Sequence, residues 1–178
     1  MVHACPTGEK FKMQNSETFN LTVRKAVRED MAQVYKLIKE LADYEKLGDQ
    51  VAIDEKILQD DFDSQPPAFS SMVAELPDGH IIGYALYYNS YSTWVGRSIF
   101  LEDLYVQPAY RGNGVGKQLL KAVAKVAQES QIRRIDFHVL SWNPTVEFYQ
   151  KLGAVNLSQT EKWTLFRMDQ DCINKLLS

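Results

Sequence analysis

Apolar positions along the chain alternate between a period of two and a period near 3.6, which separates strands from helices. Leu21 to Ala26 alternates and predicts a first strand. Met31, Val34, Tyr35, Ile38, Leu41 and Ala42 recur at helical spacing, predicting an amphipathic helix from an Asp30 cap to about Lys46, stopped by Gly48. Asp54 caps a short helix from Glu55 to about Phe62. Beyond the break at Gln65-Pro66-Pro67, three stretches read as an antiparallel meander: Phe69–Leu76, Ile81–Asn89 and Ser98–Val106. Pro77-Asp78-Gly79-His80 is the first turn, and residues 91–97 form a loop. Val115, Leu119, Leu120, Val123, Val126 and Ala127 share one face of a helix over 114–130. Arg133–Leu140 follows as a strand, and the β–α–β order implies parallel pairing with the strand before that helix. Asn143 caps and Pro144 opens a helix over 145–152, ended by Gly153. Trp163–Met168 reads as a last strand, and Asp169 caps a C-terminal helix. The expected order is β-α-α-β-β-β-α-β-α-β, an α/β fold.

The stretch over 99–120 carries the chemistry. Gln107-Pro108 ends a strand, because proline cannot donate to a ladder. Arg111-Gly112-Asn113-Gly114-Val115-Gly116 then presents several backbone N–H groups at a helix N-terminus. Such a turn holds an anion, usually a phosphate. The P-loop pattern G-x-x-x-x-G-K-[ST] fails: Gln118 follows Gly116-Lys117, and Arg111 stands at the first glycine. The dinucleotide pattern G-x-G-x-x-G fits Gly112 and Gly114 and fails at Lys117. R-x-x-G-x-G remains, in Arg111, Gly114 and Gly116.

Composition narrows the class. The 178 residues, 45% hydrophobic, suffice for one domain over 19–178, preceded by a flexible tail over 1–18. A formal net charge of −3, with lysine and arginine scattered among acids, argues against a nucleic-acid partner. No apolar run approaches the roughly 18 residues of a membrane span, and the N-terminus lacks the apolar core of a signal peptide. Cys5 and Cys172 make no disulfide framework, so a reduced, cytoplasmic setting is expected. His3 and His80 read as tail and turn, and no Cys/His/Asp set has metal spacing, so no metal is expected.

L-E-D-L-Y-V-Q-P-A-Y-R-G-N-G-V-G, set between strand and helix, resembles the acetyl-CoA loop of the GNAT N-acetyltransferase superfamily. S-W-N-P-T-V-E-F-Y-Q-K-L-G-A over 141–154 resembles its second motif, N-x-x-A-x-x-F-Y-x-x-x-G. L-I-K-E-L-A-D-Y-E-K-L over 37–47, D-Q-V over 49–51 and Y-S-T-W-V-G-R over 91–97 are similar to the diamine (spermidine/spermine) N-acetyltransferase family. They lean toward its thialysine N-epsilon-acetyltransferase branch. The resemblance covers about residues 21–178. It implies a mixed, largely antiparallel sheet with helices on both faces, whose two central parallel strands splay apart to admit CoA. It further implies acetyl-CoA as co-substrate, a polyamine or lysine-like amine as acceptor, and a homodimer. A protein lysine or N-terminus as acceptor, or CoA binding without catalysis, stand as alternatives.

Acetyl transfer needs a neutral amine, and an alkyl ammonium loses its proton only near pH 10.4 or so. It also needs the leaving thiolate reprotonated. Glu102 is the candidate base, acting through a water, because acids are depleted in strands and this one feeds the glycine turn. Strict alternation puts residues 102, 104 and 106 on one face and turns Asp103 away as a structural residue. Tyr149, in register with Gly153, is the candidate acid. No cysteine or serine in the glycine turn suggests a covalent intermediate, so direct transfer in a ternary complex is expected. The resemblance assigns the acetyl carbonyl and pantetheine arm to the backbone of Leu104, Tyr105 and Val106. It assigns the pyrophosphate to Arg111, Gly112, Asn113, Gly114, Val115, Gly116 and Lys117. It also assigns a CoA contact to Asn143, although Asn143 to Tyr149 is one residue shorter than the family spacing and Val146 stands for alanine. Tyr44, Glu45, Asp136, Phe137, His138 and Glu161, with Glu102, fall where the family contacts substrate. The first-helix pair reaches a neighbour's site in the dimers of that family.

Overall fold

The computed structural model describes residues 20–178. The expected tail, with His3 and Cys5, lies outside the described residues. The chain divides into two compact units, one ending at Phe137 and the other spanning His138–Ser178.

The first unit is a single sheet with helices on both faces. Strands β1 (Thr22–Lys25), β2 (Ser70–Glu75), β3 (Ile81–Ser92), β4 (Gly96–Val106) and β5 (Ile135–Phe137) lie in sequence order across it. The first four are antiparallel, and β5 joins β4 in parallel, as the β–α–β order requires. Helices α1 (Met31–Tyr44) and α2 (Glu55–Asp63) precede β2, and α3 (Val115–Glu129) links β4 to β5. Met31, Val34 and Leu37 of α1 and Leu58 of α2 pack with Tyr84, Leu86 and Tyr105 on one face. Val115, Leu119, Val123 and Ala127 of α3 pack with Ile99, Leu101 and Val106 on the other.

The start of α1 differs from a simple cap. The Asp30 side chain accepts from the Val27 amide and from both terminal nitrogens of Arg24, which also donates to Glu75. Burial alone would raise the Asp30 carboxyl; the Arg24 guanidinium and the Val27 amide hold it below its ordinary value. One arginine thus ties β1, β2 and the entrance to α1. Asp54 caps α2 as its sequence position implies, accepting from the Ile57 amide at 2.8 Å.

Three expectations are corrected. The 91–97 loop is mostly strand: β3 and β4 run on until Ser92 pairs with Gly96, whose φ of +84° closes the turn. The strand expected over 133–140 shortens to the three residues of β5, all the ladder that β4 offers it. The third concerns the second unit, which holds α4 (Thr145–Lys151), a short α5 (Leu157–Thr160) and α6 (Gln170–Leu177). Residues 163–168, expected as a last strand, are not in a strand, and Trp163, Leu165, Phe166 and Met168 are exposed. Strand propensity is the fit of side chains to a pleated neighbour, and this segment has no ladder partner among the described residues.

Candidate active site

The site begins with a break in the alternation of β4. Leu86 pairs with Asp103, but the next residue, Tyr87, pairs with Leu101, so Glu102 is an extra residue bulged out of the ladder. The parallel pairing of β5 with β4 stops at the same point, at Leu101 and Phe137. Residues 102–106 of β4 therefore have no strand on their β5 side among the described residues. Their backbone groups on that edge are free of ladder bonds, which suits recognition of an extended amide-bearing arm.

The bulge also re-aims the side chains. Leu101 faces the α3 core before it, and Leu104 and Val106 face the same core after it. Asp103 and Tyr105 face the α1 side, with Tyr84. Glu102 acts on the Tyr88 phenol, whose ring stacks on Phe100 at 5.3 Å. Glu102 thus does not share a face with Leu104 and Val106, and Asp103 is not turned away from it. Both expectations fail for one reason: a bulge shifts the parity of every residue after it.

Asp103 faces a buried phenol. It accepts from the Tyr84 hydroxyl at 2.8 Å, and Tyr84 is wholly buried. Burial pushes the Asp103 carboxyl up to about 6, with the charges of Glu102 and Glu45 adding to the rise and the Tyr84 hydrogen bond opposing it. Burial also raises Glu45. Tyr84 is held well above its ordinary value, first by burial and then by the Asp103 charge. Asp103 thus lies within the field of two further carboxylates, Glu102 and Glu45, an arrangement that favours a cationic ligand.

The glycine turn follows a short 3-10 turn at Pro108–Tyr110. Gly112 and Gly114 have φ of +83° and +78°, which side-chain-bearing residues rarely adopt. The Asn113 amide braces the turn by donating to the Tyr110 carbonyl at 3.2 Å. Gly114 occupies the N-cap of α3 without a side-chain cap, so the amides of Val115, Gly116 and Lys117 point out of the helix start. The Val115 side chain is core, and Lys117 is exposed. Arg111 is exposed yet held by the protein: its Nε donates to the Val106 carbonyl at 2.8 Å. Its guanidinium lies 5.0 Å from the Tyr44 ring centre and 5.4 Å from that of Tyr105.

Asp136, on β5, is engaged by Arg134 at 2.8 Å, and Phe137 packs against the α3-side core. In the second unit, His138 is exposed. Pro144 rather than Asn143 stands at the N-cap of α4, and the nearly buried Asn143 just before it accepts from the Thr145 amide at 3.0 Å and its hydroxyl at 2.8 Å. Its carboxamide oxygen is thereby committed to the helix. Tyr149 is half-buried and meets the Phe148 ring edge-on at 5.1 Å. Glu161 accepts from the Trp163 indole at 2.6 Å.

Sequence reasoning set Asp103 aside as structural and did not anticipate its contact with Tyr84 or that of Glu102 with Tyr88. A signal for the first was present. The apolar positions of β4 run 99, 101 and then 104, 106, slipping from odd to even, which marks an inserted residue.

A bulged strand that leaves its parallel neighbour and feeds a glycine turn at a helix N-terminus is the arrangement the resemblance to acyl-CoA-dependent acetyltransferases leads one to expect. Residues 31–154 match the acetyltransferase (GNAT) family, and the chain belongs to that family. Its members use acetyl-CoA as co-substrate. It is 42% identical over 162 residues to thialysine N-epsilon-acetyltransferase of Bos taurus, covering 86% of this chain and 95% of that protein. The Caenorhabditis elegans protein of the same name is 36% identical over 145 residues, covering 80% and 88%. Spermidine/spermine N(1)-acetyltransferase-like protein 1 of Homo sapiens is 35% identical over 156 residues, which are 84% of this chain but 22% of that one. Among solved structures, an integron cassette protein from V. cholerae aligns with a TM-score of 0.71 at 24% identity, covering 88% of this chain and 97% of that one. This shared architecture concerns the fold alone. Among the described residues, no helix is long and apolar enough to cross a membrane.

Proposed function

We propose that the chain transfers the acetyl group of acetyl-CoA to a primary amine of a small cationic substrate, a thialysine-like lysine analogue or a short polyamine. Transfer is direct, in a ternary complex. The observation that carries this reading is the pair of successive acids at the bulge of β4, Glu102 and Asp103, with Glu45 from the end of α1 also acting on Asp103. Such a group of acids is relieved by an ammonium and worsened by an anionic acceptor. The names of the relatives, thialysine acetyltransferases at up to 42% identity, support the same choice.

The turn fits the pyrophosphate of acetyl-CoA. Gly112 and Gly114 answer to backbone conformation, but Gly116 does not. A Cβ there would meet only a Val106 methyl at 3.8 Å, an ordinary contact. Its bareness serves a ligand that approaches the backbone closely, as a phosphate at a helix start does. The backbone of Leu104, Tyr105 and Val106 would hold the acetyl carbonyl and pantetheine arm.

The ammonium gives up a proton through a water to Glu102. The amine lone pair attacks the thioester carbonyl, the N–C bond forms, and the C–S bond breaks. The departing sulfur takes a proton from the Tyr149 hydroxyl, and the second proton released by the acylated nitrogen restores that phenol, while the proton on Glu102 passes to solvent. Asp103 and Glu45 hold the charged end of the amine before the proton leaves. The enzyme is read as a cytoplasmic homodimer whose catalytic domain spans 19–178.

The test is thiol release from acetyl-CoA with thialysine, lysine, putrescine, spermidine, spermine and a lysine peptide. Turnover of a small amine is expected. Turnover of the peptide alone would overturn the reading in favour of a protein substrate, and binding of CoA without any turnover would favour a non-catalytic module. Glu102→Gln is expected to lower kcat/KM for the amine by about 100-fold or more, the scale of general base catalysis. Tyr149→Phe should lower kcat while leaving CoA affinity unchanged; unaltered kcat would remove Tyr149 from the acid role.

A further inference from the structure

The ring of Tyr44 is already occupied. Tyr44 is the last residue of α1, and its 37% exposed side chain carries the Arg111 guanidinium at 5.0 Å. Arg111 opens the glycine turn. Its second face meets Tyr105, and its Nε donates to the Val106 carbonyl, so three contacts fix one guanidinium between α1, β4 and the turn. The same end of α1 is tied down one turn earlier. Glu40 accepts from the Tyr105 hydroxyl at 3.1 Å and from the Gln107 amide at 3.0 Å. The outer side of the turn is open: a Cβ on Gly112 or Gly114 would meet nothing within 4 Å.

We propose that Tyr44 is a positioning residue for the cofactor turn: its ring holds Arg111 in place, and so the end of α1 sets the affinity for acetyl-CoA. This rests on the reading of the turn as the pyrophosphate site. It gives Tyr44 a role distinct from contact with the amine. The physical basis is ring–guanidinium attraction, aided by the second ring of Tyr105 on the same guanidinium. With that ring gone, Arg111 keeps Tyr105 and the Val106 carbonyl but is open to water on one side. The turn then samples more conformations, and the ligand must select among them.

The experiment is acetyl-CoA binding by calorimetry with no amine present, for the full chain, Tyr44→Ala and Tyr44→Phe. Tyr44→Ala is expected to weaken binding about three- to tenfold, the range of one such contact. Tyr44→Phe, which keeps the ring, is expected to stay within about twofold of the parent. An unchanged affinity in Tyr44→Ala would overturn the proposal, because a residue that only touches the amine cannot matter when no amine is present. Equal losses in both variants would overturn it too, since the hydroxyl and not the ring would then be at work. A thermal melt of each variant separates weak binding from unfolding; Tyr44→Leu, which preserves bulk without the π face, should bind like Tyr44→Ala, and parent-like binding would refute the ring. Failure of the parent to bind acetyl-CoA at all would instead refute the reading of the turn.

Discussion

Asp103 offers a test in which stability and activity must move in opposite directions. Replacing it with Asn keeps an oxygen to accept from the Tyr84 hydroxyl and removes only the ionisable proton. Burial raises the carboxyl from 3.8 to about 6 in the folded chain. Between those values the native state holds a proton that the unfolded chain has lost, so stability falls as pH rises through the window. Above it the folded protein carries the full cost. The rise is about two units at roughly 1.4 kcal/mol each, a ceiling near 3 kcal/mol. The residue keeps part of its surface in water, which screens it, so about 1–2 kcal/mol is expected. Urea unfolding at a series of pH values reads this directly. Asp103→Asn should match the parent near about pH 4 and be more stable by that margin near about pH 7.5. Its kcat/KM for a cationic amine should fall, with acetyl-CoA affinity unchanged. A variant less stable than the parent at neutral pH, or a gap that does not change with pH, would refute the account of Asp103 as a carboxylate held at cost for a cation.

Two further outcomes test other parts of the structure. Gly116→Ala should leave thermal stability within about 0.5 kcal/mol of the parent, since the new methyl meets one flexible group, yet weaken acetyl-CoA binding tenfold or so. Equal affinity would show that the phosphate does not approach that amide. Arg24→Ala should destabilise by about 2 kcal/mol, because it strands Asp30, whose side chain is 8% exposed; the mutational range for breaking a buried pair is reduced here by the exposure of Arg24 itself. Chemical denaturation reads it, and a neutral result would show that the Val27 amide alone satisfies Asp30.

Much of the first unit could be read from periodicity, because its signals are local. The α1 and α3 stripes, the Asp54 cap and the turn after Leu76 each depend on a few neighbouring residues. The glycine turn is local too: positive φ at Gly112 and Gly114 and an uncapped helix start follow from the composition of six residues. What could not be read depends on partners distant in sequence. Asp30 looks like a cap and serves as the far end of a guanidinium that also holds Glu75. Arg111 looks like a phosphate ligand and lies against two tyrosines, one of them 67 positions earlier in the chain (111 less 44). Residues 163–168 have every side chain a strand wants and no described ladder to join.

The misreading of Asp103 is of another kind, because the information was local and the rule applied to it was too rigid. Alternation assigns faces only while the ladder stays in register. In β4 the apolar residues themselves change parity between Leu101 and Leu104, and the inserted residue is Glu102, the acid placed first for chemistry. These facts are connected. The parallel pairing to β5 stops at the bulge, one backbone edge is left free, and two successive acids each meet a phenol, Glu102 that of Tyr88 and Asp103 the buried one of Tyr84. A regular strand could present Glu102 or Asp103 to the α1 side, but not both. One extra residue in a ladder therefore leaves a backbone edge open and sets two acids side by side, and on the proposed reading these are the gap for a thioester arm and the negative potential for an ammonium.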